Sequence, residues 1–186
     1  MIRLEKTLAT VVLLFSGAVS MYAQELPWGD NFDDGDYAGW SIFDDAPFSS
    51  GPSQWLVING ALLQTSNIFT TENEYDVFKG THIVAGNKDW TDYYFAALIN
   101  SSDDDGIGLL FRYKDPNNYY RFLTVEDPNN KGPFKRLEKQ VNGQFTTLAQ
   151  SSTDIKIPGD FVGQIQVKGD SIFYYENNDL LLSVAD

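Results

Sequence analysis

Closely spaced turn signals constrain this chain more than any other feature. Asn59-Gly60 and Asn142-Gly143 are the residue pairs that tolerate the positive φ of a two-residue hairpin turn. Asp115-Pro116-Asn117-Asn118 recurs as Asp127-Pro128-Asn129-Asn130. Proline pre-sets φ at the second turn position and aspartate caps the first, so this is one turn solution used twice. Between the turns lie short runs rich in β-branched and aromatic residues. They predict strands at Trp55–Ile58, Ala61–Gln64, Tyr93–Ile99, Ile107–Tyr113, Tyr119–Val125, Phe134–Val141, Gln144–Ala149, Phe161–Val167, Ile172–Glu176 and Leu180–Val184. No helical spacing of apolar residues survives beyond the N-terminal segment. The expectation is an all-β domain, a sandwich or a barrel.

The N-terminal segment reads as an address. Arg3 and Lys6 precede an apolar run from Leu8 to Phe15, and small residues follow through Ala23. This charged, apolar, small-residue order predicts a signal peptide over residues 1–23, with cleavage after Ala23. The domain is then 24–186, exported to the cell surface or medium with no membrane insertion once the signal is removed. Absence of cysteine in an exported chain fits a bacterial source.

Composition removes several functions. The chain holds 13 Lys+Arg against 26 Asp+Glu, which argues against nucleic acid as a partner. Zero cysteines exclude thiolate zinc sites and cysteine nucleophiles, and a single histidine, His82, excludes a multi-histidine metal centre. His82 itself, in Thr81-His82-Ile83, reads as structural or exposed. Glu74-Tyr75-Asp76-Val77-Phe78-Lys79 approaches the strand that sets acid and nucleophile side by side in retaining glucanases, but Lys79 stands where the second carboxylate belongs.

The Asp115–Asn118 turn sets a hairpin register. Centred on Pro116 and Asn117, it predicts Arg112 opposite Arg121, Phe111 opposite Phe122 and Tyr113 opposite Tyr120. Alternation then places Leu109, Phe111, Tyr113, Tyr120 and Phe122 on the core face. The other face takes Leu110, Arg112, Lys114, Tyr119, Arg121 and Leu123. Two arginines directly opposite each other repel, so the face needs an offset. Either a neighbouring carboxylate, Glu138 or Glu126, supplies it, or the face binds a ligand through guanidinium forks. The second hairpin, closed by Asn142-Gly143, adds Arg136, Glu138 and Phe145 to one face. The ligand-binding candidates are Arg112, Arg121, Arg136 and Tyr119.

Two acidic clusters sit in turns, Asp30-Asn31-Phe32-Asp33-Asp34-Gly35-Asp36 and Asp103-Asp104-Asp105-Gly106. Dense loop carboxylates suit a hard cation such as calcium. The first cluster supplies the candidate metal ligands Asp30, Asp33, Asp34 and Asp36, with a solvated turn as the alternative; the second reads as a solvated turn.

Taken in order, Asp33-Asp34-Gly35-Asp36, Gly39-Trp40, Trp55 through Gln64, Asp104-Asp105-Gly106-Ile107-Gly108, Phe111-Arg112-Tyr113 and Asn118-Tyr119-Tyr120-Arg121-Phe122 make a recognisable series. The chain resembles the concanavalin A-like, laminin G-like jelly-roll modules of secreted bacterial proteins, which are related to the thrombospondin C-terminal-like modules. The resemblance spans residues 30–184. It implies a jelly-roll β-sandwich of two antiparallel sheets and a structural calcium at the Asp30–Asp36 segment. Such modules continue with further strands, whereas this chain ends at Asp186, so the domain is expected to lack its closing C-terminal strands. The function implied is a non-catalytic carbohydrate-binding or adhesion module for a polysaccharide or surface glycan, part of a larger protein. The alternatives are a glycan hydrolase or lyase on the same fold, or a calcium-stabilised spacer.

Overall fold

A computed structural model describes residues 28–45, 51–68 and 79–186. The expected signal peptide and the Glu74–Phe78 stretch lie outside these residues. The strands are β1 (Ser41–Asp44), β2 (Trp55–Ile58), β3 (Ala61–Gln64), β4 (Thr81–Val84), β5 (Tyr93–Ser101), β6 (Ile107–Asp115), β7 (Asn118–Val125), β8 (Phe134–Val141), β9 (Gln144–Ser151), β10 (Gly159–Lys168), β11 (Ser171–Glu176) and β12 (Asp179–Ala185). Every strand expected from sequence is present; β1 and β4 were not expected. Among the described residues no helix is long and apolar enough to cross a membrane.

The fold is a β-sandwich. One sheet is the meander β6-β7-β8-β9 and the other has the order β12-β11-β10-β5, all antiparallel. Two short ribbons, β1-β4 and β2-β3, accompany them. The core between the sheets holds Leu109, Phe111, Phe122 and Leu137 from the first sheet against Ile99, Phe161, Ile165 and Tyr174 from the second. Phe122 and Tyr174 stack across the gap at 3.5 Å between ring centroids. Both Asn-Gly turns adopt the expected positive φ, 53° and 69° at Asn59-Gly60 and 50° and 80° at Asn142-Gly143. Asn177-Asn178 is a further turn of this kind, at 52° and 74°. Both Asp-Pro-Asn-Asn turns are capped alike: Asp115 and Asp127 each accept the backbone N–H two residues on, at 2.8 Å.

The β6–β7 register departs from the expected one. Next to the turn Asp115 faces Asn118 as predicted, but farther on Phe111 faces Tyr120 and Leu110 faces Arg121. Arg112, Tyr113 and Lys114 therefore stand opposite Tyr119 alone, a β-bulge with Arg112 at φ 47°. The Arg112 N–H, displaced from the ladder, donates to the Tyr93 hydroxyl at 2.6 Å. Arg112 is thereby not opposite Arg121, and Tyr113 leaves the core face that alternation assigned to it. The turn chemistry was legible; the N–H freed at the bulge is met by Tyr93, which arrives from another strand.

Candidate functional site

The side of the β6–β9 sheet that faces away from the sandwich core carries most of the polar chemistry. Three antiparallel strands align its side chains in rows. Tyr119, Gln140 and Phe145 form one row across β7, β8 and β9, and Arg121, Glu138 and Thr147 form the next. Arg121 donates from Nε to Glu138 Oε2 at 2.8 Å, with both side chains buried. The Arg121 guanidinium lies 3.9 Å above the Phe145 ring. Arg136 approaches the other Glu138 oxygen at 3.6 Å and donates to Gln150 at 2.7 Å. The internal-carboxylate alternative for Arg121 is the one the geometry takes, with Glu138 as partner.

Arg112 stands apart from this group. Its Nε donates to the Thr91 carbonyl at 3.3 Å, its Nη2 donates to the Gly169 carbonyl, and it lies 5.9 Å from the Tyr120 ring centroid. Arg112 is a brace between the turn end of β6, the loop before β5 and the β10–β11 turn. Of the four ligand-binding candidates, Tyr119, Arg121 and Arg136 share a face and Arg112 does not.

The β1–β4 ribbon adds what sequence reasoning left out. Phe43 and His82 are opposite each other in the ribbon and stack at 5.4 Å. His82 packs 5.8 Å from both Tyr113 and Tyr119, and those two tyrosines stack on each other at 5.8 Å. Three polar atoms in this aromatic nest are buried without a hydrogen-bond partner: His82 Nε2, Tyr113 Oη and Gln140 Oε1. His82 is 7% exposed, Gln140 5% and Tyr119 3%. Burial lowers the His82 pKa from its ordinary value; Asp45 and Asp44 oppose this and Arg121 reinforces it. Burial, then Asp115 and Asp45, push the Tyr113 hydroxyl up to about 12, so it keeps its proton at neutral pH. Buried polar atoms are almost always paired in native proteins, so a group of unpaired ones marks a place for water or ligand. The only prior signal was the histidine itself, in an apolar strand with nothing nearby in sequence to pair it.

The acidic turn is held by its own side chains. Asp30 uses both carboxylate oxygens, accepting from the Phe32 N–H at 2.8 Å and from Trp40 Nε1 at 2.8 Å. Asp34 and Asp36 accept from the N–H groups of Asp36 and Ala38. Among the described residues, no three of Asp30, Asp33, Asp34 and Asp36 bring carboxylate oxygens within 4.8 Å of one another; Asp103, Asp104 and Asp105 do. Asp30, Asp34 and Asp36 thus act as turn caps. In the second cluster, burial and then Asp103, Asp127 and Asp104 raise the Asp105 pKa, while Asn130 donates to it at 2.5 Å.

The ring nest opens into a cavity of about 2000 Å³. His82, Tyr113, Tyr119 and Arg121 line it, as do Trp28, Trp40 and Trp90.

The sequence matches no protein-family model, and no curated protein sequence matches it. Among solved structures, the carbohydrate binding module CBM66 from Bacillus subtilis superposes on it with a TM-score of 0.59. That match covers 80% of this chain and 80% of the module at 18% identity. At that identity the likeness is one of fold, and it places the chain with β-sandwiches of this kind.

Proposed function

We propose that the domain is an exported, non-catalytic carbohydrate-binding module that takes a polysaccharide or surface glycan at the Tyr113–Tyr119–His82 nest. One observation carries this reading: His82 Nε2, Tyr113 Oη and Gln140 Oε1 are buried and unpaired among aromatic rings. A sugar ring has apolar C–H faces that lie on aromatic rings and hydroxyls that both donate and accept. It complements a pocket of aromatic walls with a few placed polar groups. The solved structure with the similar fold is, by its name, a carbohydrate binding module. Glu138, the carboxylate of this face, is held by two guanidiniums, which suits an orienting role over proton transfer. Export rests on the N-terminal sequence alone. Calcium at Asp30–Asp36 enters as a proposal that melting with calcium and with chelator tests; an unchanged melting temperature would leave those carboxylates as caps.

The test of the glycan reading uses the unpaired atoms themselves. Tyr113→Phe and Gln140→Met each remove one. Deleting a buried unsatisfied group is neutral or stabilising, whereas deleting a ligand contact weakens binding. Pull-down on a panel of insoluble polysaccharides, with titration calorimetry on those retained, should show weaker binding by both variants at unchanged or higher melting temperature. Lower melting temperature with unchanged affinity would make these atoms structural and remove the proposed site.

A further inference from the structure

Trp28, Trp40 and Trp90 lie together among the residues that line the cavity. Trp28 packs 5.5 Å from Trp40 and 6.4 Å from Trp90 between ring centroids, and all three rings remain half-buried. The fourth tryptophan, Trp55, is by contrast a core residue at 5% exposure.

Trp40 and Trp90 are fixed by their surroundings, and Trp28 packs on both. Asp30 accepts from Trp40 Nε1 at 2.8 Å. Gly86, at φ 94°, lets Trp90 lie on the backbone; a Cβ there would come within 2.6 Å of the indole. The loop carrying Trp90 is held by Arg112 on the Thr91 carbonyl and by Lys114 on the Lys88 carbonyl, at 3.3 and 2.6 Å. Rings held this way lose little freedom on binding, which is what a stacking platform needs. The β6 bulge that takes Arg112 away from Arg121 is thus also what secures this platform.

We propose that the tryptophan cluster is a second sugar subsite, so that one glycan chain runs along the cavity from the Tyr113–Tyr119–His82 nest to Trp28 and binds through several consecutive sugar units. This rests on the reading of the nest as a glycan site. Common lining supports it: both ring groups border one cavity. So does chemistry, since aromatic rings stack on the apolar faces of successive sugar units.

Calorimetry with gluco-, manno-, xylo- and fructo-oligosaccharides of increasing length, from monosaccharide to hexasaccharide, tests it. Affinity of the wild-type chain for the recognised series should climb with length before levelling. Trp28→Ala should lower affinity for the longest member about tenfold, the size of a lost aromatic contact, and leave the shortest binders unaffected. Trp28→Phe should recover most of that loss. Affinity independent of length, or a Trp28→Ala loss equal for short and long sugars, would overturn the second subsite. If length-independent binding still weakens in Tyr113→Phe, the nest survives and the tryptophan subsite does not. If the wild-type chain binds no sugar of any length, both fall together.

Discussion

At the scale of single residues, two buried groups decide what this face can do. Arg121 is paired to Glu138 in a dry environment, and the worth of such a pair shows mostly in the cost of removing one partner. Arg121→Met keeps the aliphatic stem, removes the guanidinium above Phe145 and leaves Glu138 with Arg136 at 3.6 Å. It should cost about 3–5 kcal/mol of stability, the range for a broken buried pair, read by urea unfolding. Adding Glu138→Gln should recover much of it; a single variant as stable as wild type would mean that the pair is not internal. His82 gives a pH signature. Its pKa is held below the ordinary 6.5, chiefly by burial. The unfolded chain therefore takes the proton first. Well above pH 6.5 neither state is protonated and His82 contributes no slope. As pH falls through about 6.5 toward the folded value, stability is lost by at most about 1.4 kcal/mol per pH unit. His82→Phe should flatten this part of the profile between about pH 7.5 and 5.5, and parallel wild-type and variant profiles would show that His82 is not buried neutral.

At the scale of elements, the β6–β7 hairpin shows how far local rules reach. Its turn closes as Asp-Pro-Asn-Asn chemistry dictates, and the strands on either side have the expected extent. The pairing slips by two residues, and the Arg112 N–H freed at the bulge is taken up by the Tyr93 hydroxyl. That slip moves Tyr113 to stack on Tyr119 and sends Arg112 to brace the Trp90 loop. The register beyond the bulge rests on a close approach at Gly108, where a Cβ would sit 1.9 Å from the Phe122 carbonyl oxygen. Gly108→Ala should force β6 away from β7 and lower stability by more than the roughly 1–3 kcal/mol of ordinary overpacking. Gly106→Ala, whose nearest neighbour would be a Leu123 methyl at 3.3 Å, is the mild control. Equal melting temperatures for the two variants would argue against this register.

At the scale of the whole molecule, the two sheets are joined by more than apolar contact. Lys135 from β8 and Glu176 from β11 meet at 2.8 Å with side chains 1% and 2% exposed, and the Tyr174 hydroxyl donates to the second Glu176 oxygen at 2.8 Å. Lys135 also donates to the Asp154 carbonyl in the loop between the sheets. Such a network is costly unless complete, so it favours one relative placement of the sheets over others. Lys135→Met should destabilise by about 3–5 kcal/mol in urea, with Lys135→Met/Glu176→Gln recovering part of it. Loss no larger than for an exposed lysine would place the pair in water. At the opposite corner Lys139 and Tyr120 both donate to Asp186, tying β12 to the meander sheet.

Sequence by itself determined the elements: turn residues and short β-rich runs located ten strands, because φ preferences and period-two alternation act over a few neighbours. It also placed Arg136, Glu138 and Phe145 on one face, since the Asn142-Gly143 hairpin around them keeps that alternation. It did not place β1 and β4, which are as short as β2 and β3 but lack the Asn-Gly turn that marks the β2–β3 hairpin and pair with each other across a long stretch of chain. Only the tertiary structure decided which polar atoms are left unpaired. Whether His82 is satisfied depends on the faces of β6 and β7 it meets, and no local rule reports that. The bulge, the Arg121–Glu138 pairing and the gathering of three tryptophans are equally products of packing. Each joins residues well separated in sequence, where pairing is set by which surfaces meet and not by the preferences of the residues themselves.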